Sequence, residues 1–245
     1  NLSKENIQLI CNRHLGIGSD GILYGPIFSE GTTLLRILNP DGSEAEKSGN
    51  GIRIFSRYLI DAGYKTNKTF ELDTLGGQVT VEILDDRGEL IKVNMGRVTF
   101  LSNEIPMIGD SREVVNEEIK LRGKTFNATC LSIGNPHCII PMNEISMEIA
   151  IELGPLVENH INFPNKINMQ LLKIIDRHNI QIEIWERGAG YTMASGSSSC
   201  AAASAAYRLG LIDNKVQVRM PGGTINIDIT PDGNVHMTGT VDSVA

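Results

Sequence analysis

The sequence predicts an α/β (α+β) protein of two pseudo-symmetric halves, and three observations predict it. Ser48-Gly49-Asn50-Gly51 and Ser195-Gly196-Ser197-Ser198 each open a helix-like run that ends on a glycine, Gly63 or Gly210. The offset is 147 residues at both ends of the run. A strand pair around a double glycine follows each run, at Gly76-Gly77 and again at Gly222-Gly223. The period is far too long for a solenoid, so it reads as a duplicated half-molecule. Two similar halves put two equivalent groups on opposite sides of one cleft. That is the geometry for taking a proton from one face of a carbon and returning it to the other.

Along the chain, Ser3 is an N-cap candidate for a helix over Asn6 to Cys11. Gly16 to Gly21 is a turn. Leu34 to Leu38 is a short apolar strand ended by Asn39-Pro40-Asp41-Gly42. Ile52 to Ala62 reads as a helix stopped by Gly63. Residues 70–100 alternate apolar and polar and are cut by glycines, which predicts antiparallel strands. Residues 102–115, with Pro106 and Gly109, are the candidate linker. Strands are expected near Glu117 to Ile119 and Ala128 to Ser132, with Gly134-Asn135-Pro136-His137 as a loop. Leu153-Gly154-Pro155 opens a helical or loop region. Met169 to Ile175 and Ile180 to Trp185 form a hairpin, and Ala201 to Tyr207 is a helix of small residues that packs closely along its length.

Bulk properties narrow the function classes. The 245 residues are 41% hydrophobic and 21% charged, with a net charge of −7. That balance excludes non-specific binding to nucleic acid or anionic membranes. No apolar run approaches a membrane span. The four cysteines, Cys11, Cys130, Cys138 and Cys200, show no CxxC spacing, so a reduced, cytoplasmic protein is expected. Cys11 and His14 lack a second ligand pair, so no metal is expected. Gly16-x-Gly18 has no preceding strand and no third glycine, so it is not a dinucleotide fingerprint.

The two Ser-Gly helix starts carry the chemistry. Each is a ready anion site, because the first backbone N–H groups of a helix have no partner within it. A carboxylate held there leaves Ser48 and Ser195 beside the neighbouring carbon. Taken singly, each serine is an ordinary N-cap; the duplication argues for more.

Four ordered segments then add a resemblance. Asn39-Pro40-Asp41-Gly42-Ser43-Glu44-Ala45-Glu46-Lys47-Ser48-Gly49-Asn50-Gly51 resembles the first signature of the diaminopimelate epimerases, N-x-D-G-S-E-x-x-x-C-G-N-G. Glu186-Arg187-Gly188-Ala189-Gly190-Tyr191-Thr192-Met193-Ala194-Ser195-Gly196 resembles the second, E-R-G-x-G-E-T-x-A-C-G. Gly134-Asn135-Pro136-His137-Cys138 and Arg13 to Asp20 match two further family segments.

The resemblance implies two α/β halves, each a barrel-like, mostly antiparallel sheet around a central helix, with the active site in the cleft between them. It implies halves at 1–108 with 238–245 and at 109–237, with an N-terminal strand expected upstream of Asn1. It implies a homodimer that uses no cofactor and acts on a small-molecule amino acid, diaminopimelate favoured, in lysine and peptidoglycan precursor synthesis. Ser48 and Ser195 stand at the two catalytic cysteine positions. Gly49, Asn50, Gly196 and Ser197 would hold the α-carboxylate. Asn39, Asn135, Asn168, Glu186 and Arg187 are substrate-binding positions, and His137 and Glu186 would tune the catalytic pair. Serine at both cysteine positions is the departure that strikes at mechanism, since an unaided hydroxyl is a weak acid and a weak base. It implies an impaired epimerase. The alternatives are a same-fold proton-shifting isomerase, a racemase of another polar amino acid, or an inactive amino-acid-binding relative.

Overall fold

The computed structural model describes residues 2–29 and 31–242. The chain forms two compact units, one running to Asn94 and resuming at Thr240, the other spanning Met95–Gly239.

In the first unit, helix α1 (Lys4–Cys11) is capped by Ser3, whose Oγ accepts from Asn6 N. Its apolar face buries Ile7 and Cys11 against Leu38. Strands β1 (Ile22–Ser29), β2 (Thr32–Leu38) and the short β3 (Glu44–Ala45) precede helix α2 (Gly49–Asp61); β4 (Thr69–Thr74), β5 (Gly77–Ile83) and β6 (Leu90–Arg97) follow. The sheet order in this unit is β1-β2-β4-β5-β6, antiparallel except for β2 beside β4, with β3 on β2. Helix α2 buries Ile52, Phe55, Ser56 and Leu59, one stripe at helical spacing, and lies against β1 and β2. Strand β1 is absent from the sequence reading because Gly25-Pro26 interrupts it. Proline cannot donate to a ladder, and the register shifts between Tyr24 and Ile27.

The second unit holds β7 (Glu117–Leu121), β8 (Lys124–Ser132), β9 (Pro136–Pro141), helix α3 (Met147–Glu158), β10 (Asn168–Asp176), β11 (Asn179–Glu186), β12 (Gly190–Thr192), helix α4 (Gly196–Arg208), β13 (Lys215–Met220), β14 (Gly223–Ile229) and β15 (Asn234–Thr240). Its strand order is β15-β14-β13-β11-β10-β9-β8-β7, with β12 on β11. Pairs β9/β10 and β11/β13 are parallel and the other pairs antiparallel. Helix α4 touches β8 to β11, β13 and β14, and every residue from Gly196 to Ala206 is buried. Alanine and serine make that possible, since a backbone so enclosed leaves no room for large side chains.

Three expectations change. Residues 102–115 are not a loose linker: Ile105 and Val114 are each 1% exposed within the second unit's core, and Thr99 bridges to Ser132. The chain passes from one compact unit to the other at residues 94/95 and 239/240. His137 lies in strand β9, fully buried, rather than on a loop. Helix α3 starts at Met147, well before Leu153, because Ser146 caps it by accepting from Ile149 N at 3.4 Å.

The duplication is visible within each unit separately. Helices α2 and α4 both span 13 residues, each starting on the glycine after a capping serine. Both runs end on a left-handed glycine, Gly63 at φ 73° and Gly210 at φ 71°. In each, the first glycine of the next hairpin donates to the residue two before the capping serine: Gly76 N to Glu46 O at 2.6 Å, Gly222 N to Met193 O at 2.7 Å. A Cβ on Gly76 or Gly222 would come within 2.7 or 2.9 Å of those carbonyls, so both positions demand glycine.

Candidate active site

In the first unit, Ser48 sits at φ −137°, ψ 115°, just outside α2, and its Oγ accepts from Gly51 N at 3.1 Å. A Cβ at Gly51 would meet the end of the Leu23 side chain at 2.8 Å and Ser48 Oγ at 3.2 Å, so glycine leaves room for both beside the helix start. Arg53, one turn on, is buried and reaches back to Gly49 O and to Asn50 Oδ1 at 3.0 Å. A guanidinium thus lies under the helix start, adding positive charge to the dipole end. Asn39 closes the preceding turn, donating from Nδ2 to Ser43 Oγ at 3.0 Å. Asp41 accepts from Ser43 N and Oγ at 2.8 and 2.6 Å, and those bonds hold its carboxyl below the usual carboxylate range.

The second unit gathers the rest. Ser195 Oγ accepts from Ser198 N at 3.4 Å and lies 3.5 Å from Ser197 Oγ. With Ser198 N capped, the Gly196 and Ser197 N–H groups are left by helix geometry without an acceptor in α4. Asn135 Nδ2 donates to Ser197 Oγ at 3.4 Å, and Asn135 Oδ1 lies 3.0 Å from His137 Nε2. Asn168 is buried, donating to Pro136 O at 2.7 Å and accepting from Arg187 N at 2.9 Å. It thereby ties the Glu186-Arg187-Gly188 turn to the start of β9. The structure brings Asn135, His137, Asn168, Glu186, Arg187, Ser195, Gly196 and Ser197 together in one unit. Asn39, Ser48, Gly49 and Asn50 gather in the other.

Electrostatics differentiate these groups. Burial, reinforced by the nearby Arg187 charge, pulls the His137 imidazole down to about 3 against a partial lift from Gln170, so it is neutral at physiological pH. Burial pushes the Glu186 carboxyl up, partly offset by the nearby Ser195 and Thr192 hydroxyls. A carboxyl raised toward neutrality is suited to exchange a proton with an adjacent hydroxyl. Among the described residues no cluster of His, Cys, Asp and Glu is arranged to hold a metal ion.

The diaminopimelate epimerase family model matches residues 1–101 and 129–244. The chain belongs to the diaminopimelate epimerase family. It is 53% identical to diaminopimelate epimerase 2 of Nostoc sp. over all of this chain and 86% of that protein. It is 41% identical to the diaminopimelate epimerase of Halothermothrix orenii over 96% of this chain and 84% of the relative. The fold is shared with a solved hydroxyproline epimerase of Agrobacterium vitis, at TM-score 0.75 and 13% identity, covering 98% of this chain and 78% of that one. The mixed, sheet-rich α/β architecture and the isomerase class expected from the sequence both stand on these matches.

Further residues hold these groups in place. Glu158, at the end of α3, accepts from Trp185 Nε1 at 2.7 Å, Lys166 Nζ at 3.1 Å and Gly188 N at 3.1 Å. It anchors the turn that carries Glu186 and Arg187. Tyr191, which replaces the family's acidic residue, donates to Glu183 Oε2 at 2.7 Å. Burial and that bond push its phenol up to about 12. Gln170 and Ser198 hydrogen-bond at 3.0 Å, fully buried, beside His137. The only sequence signal for Gln170 was a polar residue between the apolar Met169 and Leu171.

Proposed function

We propose that this chain binds diaminopimelate and inverts one of its α-carbons by two-base proton transfer, with serines where its family carries catalytic cysteines. The observation that carries the reading is the pair of Ser-capped, glycine-started helices 147 residues apart in a chain that matches the family over nearly its whole length. Ser48 and Ser195 occupy the two proton-handling positions. Gly49, Asn50, Gly196 and Ser197 hold the α-carboxylate on helix-start N–H groups. Asn39, Asn135, Asn168, Glu186 and Arg187 hold the rest of the amino acid.

Glu186 is the group best suited to activate a hydroxyl, because it lies near Ser195 and burial raises its carboxyl. His137, neutral and enclosed, orients rather than titrates. The proposal includes a cytoplasmic homodimer that needs no cofactor. A pair of hydroxyls of which one, Ser48, has no such carboxyl is a slow pair, so turnover is low. The double serine also favours a second reading, an amino-acid-binding relative without turnover.

Proton–deuterium exchange at the α-carbon of diaminopimelate in D2O tests both, alongside calorimetric binding. Slow exchange with binding supports the epimerase; binding with no exchange supports the second reading. No binding of diaminopimelate overturns the substrate.

A further inference from the structure

The two duplicated helices begin alike and differ within two turns. The 147-residue offset that pairs Ser48 with Ser195 and Gly49 with Gly196 also pairs Asn50 with Ser197 and Arg53 with Cys200. Both helices run for 13 residues from the glycine, under a serine cap. Cys200 fills its position in α4 with a small, fully buried side chain. Arg53, only 9% exposed, puts a guanidinium at the same position of α2. Such a helix start therefore forms without an arginine. The arginine even works against it, since a cation reaching back over the first turn opposes the helix dipole and a buried charge loses hydration. A residue kept there at that cost has a task at the helix end.

We propose that Arg53 is a positioning residue for the carboxylate of the substrate: its guanidinium holds the Asn50 side-chain amide with the oxygen inward and the NH2 group outward, so that Nδ2 joins the Gly49 and Asn50 backbone N–H groups as a further donor at the start of α2.

The chemistry of the pair fixes the amide. Arg53 Nη2 lies 3.0 Å from Asn50 Oδ1, and Nη1 lies 3.4 Å from Gly49 O. A guanidinium only donates and stays charged at any ordinary pH. An amide turned the other way would set its NH2 group against N–H, two donors with no acceptor between them. The oxygen therefore faces Arg53, and Nδ2 is turned away from it.

Helix geometry gives the direction in which Nδ2 is offered. The Cα–Cβ bonds of a helix tilt toward its N-terminus, so a side chain in the first turn lies over the helix start. Asn50 is the second residue of α2 and half-buried, so its NH2 group is presented at the same end as the backbone N–H groups of residues 49 and 50. Ser48 Oγ already takes Gly51 N, and those two earlier N–H groups have no acceptor within the helix. A carboxylate, with two oxygens, can accept from all of these donors at once, and each such bond is charge-assisted. Ser197, the counterpart of Asn50, is buried and turned to Asn135 and Ser195 instead. The added donor thus belongs to α2.

The inference rests on the proposed carboxylate site, and its test uses acetate, a bare carboxylate, with the full chain. Nitrogen-15 NMR follows the backbone amides of Gly49 and Asn50 and the side-chain amide of Asn50, whose signal Asn50→Ala assigns. All three should move together on titration and give one affinity. Arg53→Met should weaken acetate binding about 10-fold, the usual worth of a charge-assisted bond. In the Asn50→Ala chain the same change should alter affinity by less than about 2-fold, because the group through which Arg53 acts is already gone. A merely structural role would cost the same in both backgrounds, and equal losses overturn the inference. So does an Asn50 side-chain signal that stays still while the backbone signals move, or an absence of acetate binding; both are read on the unaltered chain, whether or not Arg53→Met folds. Failure of diaminopimelate to bind where acetate does would sink the substrate and leave the role of Arg53 standing.

Discussion

Trp185 donates its indole N–H to Glu158 Oε2 at 2.7 Å, which ties the end of β11 to the end of α3. The same carboxylate takes Gly188 N and Lys166, so one acid fixes the turn bearing Glu186 and Arg187. Burial works to raise Glu158, but these bonds outweigh it and hold the carboxyl below its ordinary range. A depressed carboxyl contributes stability above its unfolded pKa and loses it as pH falls through the folded value. Glu158→Ala should cost roughly 2–3 kcal/mol at neutral pH, since three donors lose a charged partner. The penalty should shrink on acidification below the ordinary glutamate range. Urea unfolding at several pH values checks this; a pH-independent penalty would refute it.

Gly154 packs its bare Cα against the same indole. A Cβ there would lie 2.3 Å from Trp185 Cγ and Cδ2, in the middle of the ring system rather than at a flexible end. Gly154→Ala should therefore destabilise by about 1–3 kcal/mol despite alanine's higher helix propensity. Trp185 is the sole tryptophan, so its fluorescence should shift as the indole moves off Glu158. Unchanged emission and stability would mean that the contact yields freely.

How much of this was legible in the sequence depended on whether the signal was local. Ser3, Ser48 and Ser195 are caps followed by helical stripes, and all three helices formed there. The hairpin over Asp176 to Asn179 and the two double-glycine hairpins were set by turn chemistry. Strand β9 was hidden because Pro136 and the adjacent histidine read as a loop. Its pairing with β10 is parallel and long-range, which leaves no mark on neighbouring residues. Glu158, Gln170 and Ser198 were hidden for the same reason: each acts on a residue at least 27 positions away. The residues carried over from the family signatures fell into two coherent groups, because those signatures are themselves local.

Arg187 carries a planar fork suited to a carboxylate on a turn pinned by Asn168 and Glu158. Arg187→Met should weaken diaminopimelate binding roughly 10- to 100-fold, the usual worth of a charge-assisted bond. Calorimetry decides; unchanged affinity removes Arg187 from the binding set.

Glu186 should show the opposite pH behaviour to Glu158. Its folded pKa is raised, chiefly by burial, so its ionisation is less favourable in the folded chain than in the unfolded one. Stability is full below the unfolded pKa and falls as pH rises through the folded value. Glu186→Gln should therefore stabilise the protein at neutral pH, with the gain vanishing below the ordinary glutamate range. The same change should abolish any α-hydrogen exchange. Thermal melts at acidic and neutral pH, paired with exchange in D2O, separate the two effects. Loss of stability at neutral pH would show that the carboxylate form is favoured by the fold.

The two serines give the sharpest kinetic test. Inversion needs one group acting as a base while its partner acts as an acid. A thiol, with a pKa near ~8.5 that a helix N-terminus lowers, can take either part near neutral pH. A hydroxyl needs help, and of the two serines Ser195 has a carboxyl, Glu186, near it. Ser48, bonded to Gly51 N, sits by the positive Arg53 instead. Exchange by the unaltered chain should therefore be slow. Ser48→Cys should bring the larger single gain, because it installs a competent group where assistance is lacking. Ser195→Cys alone should gain little, since the unassisted Ser48 still limits inversion. The double change should exceed the product of the two single gains, as groups that act as a unit are strongly non-additive. The readouts are deuterium incorporation and optical rotation with diaminopimelate. Fast inversion by the double-serine chain would establish that Glu186-assisted serine suffices. Failure of the double-cysteine form to invert diaminopimelate would move the search to another substrate.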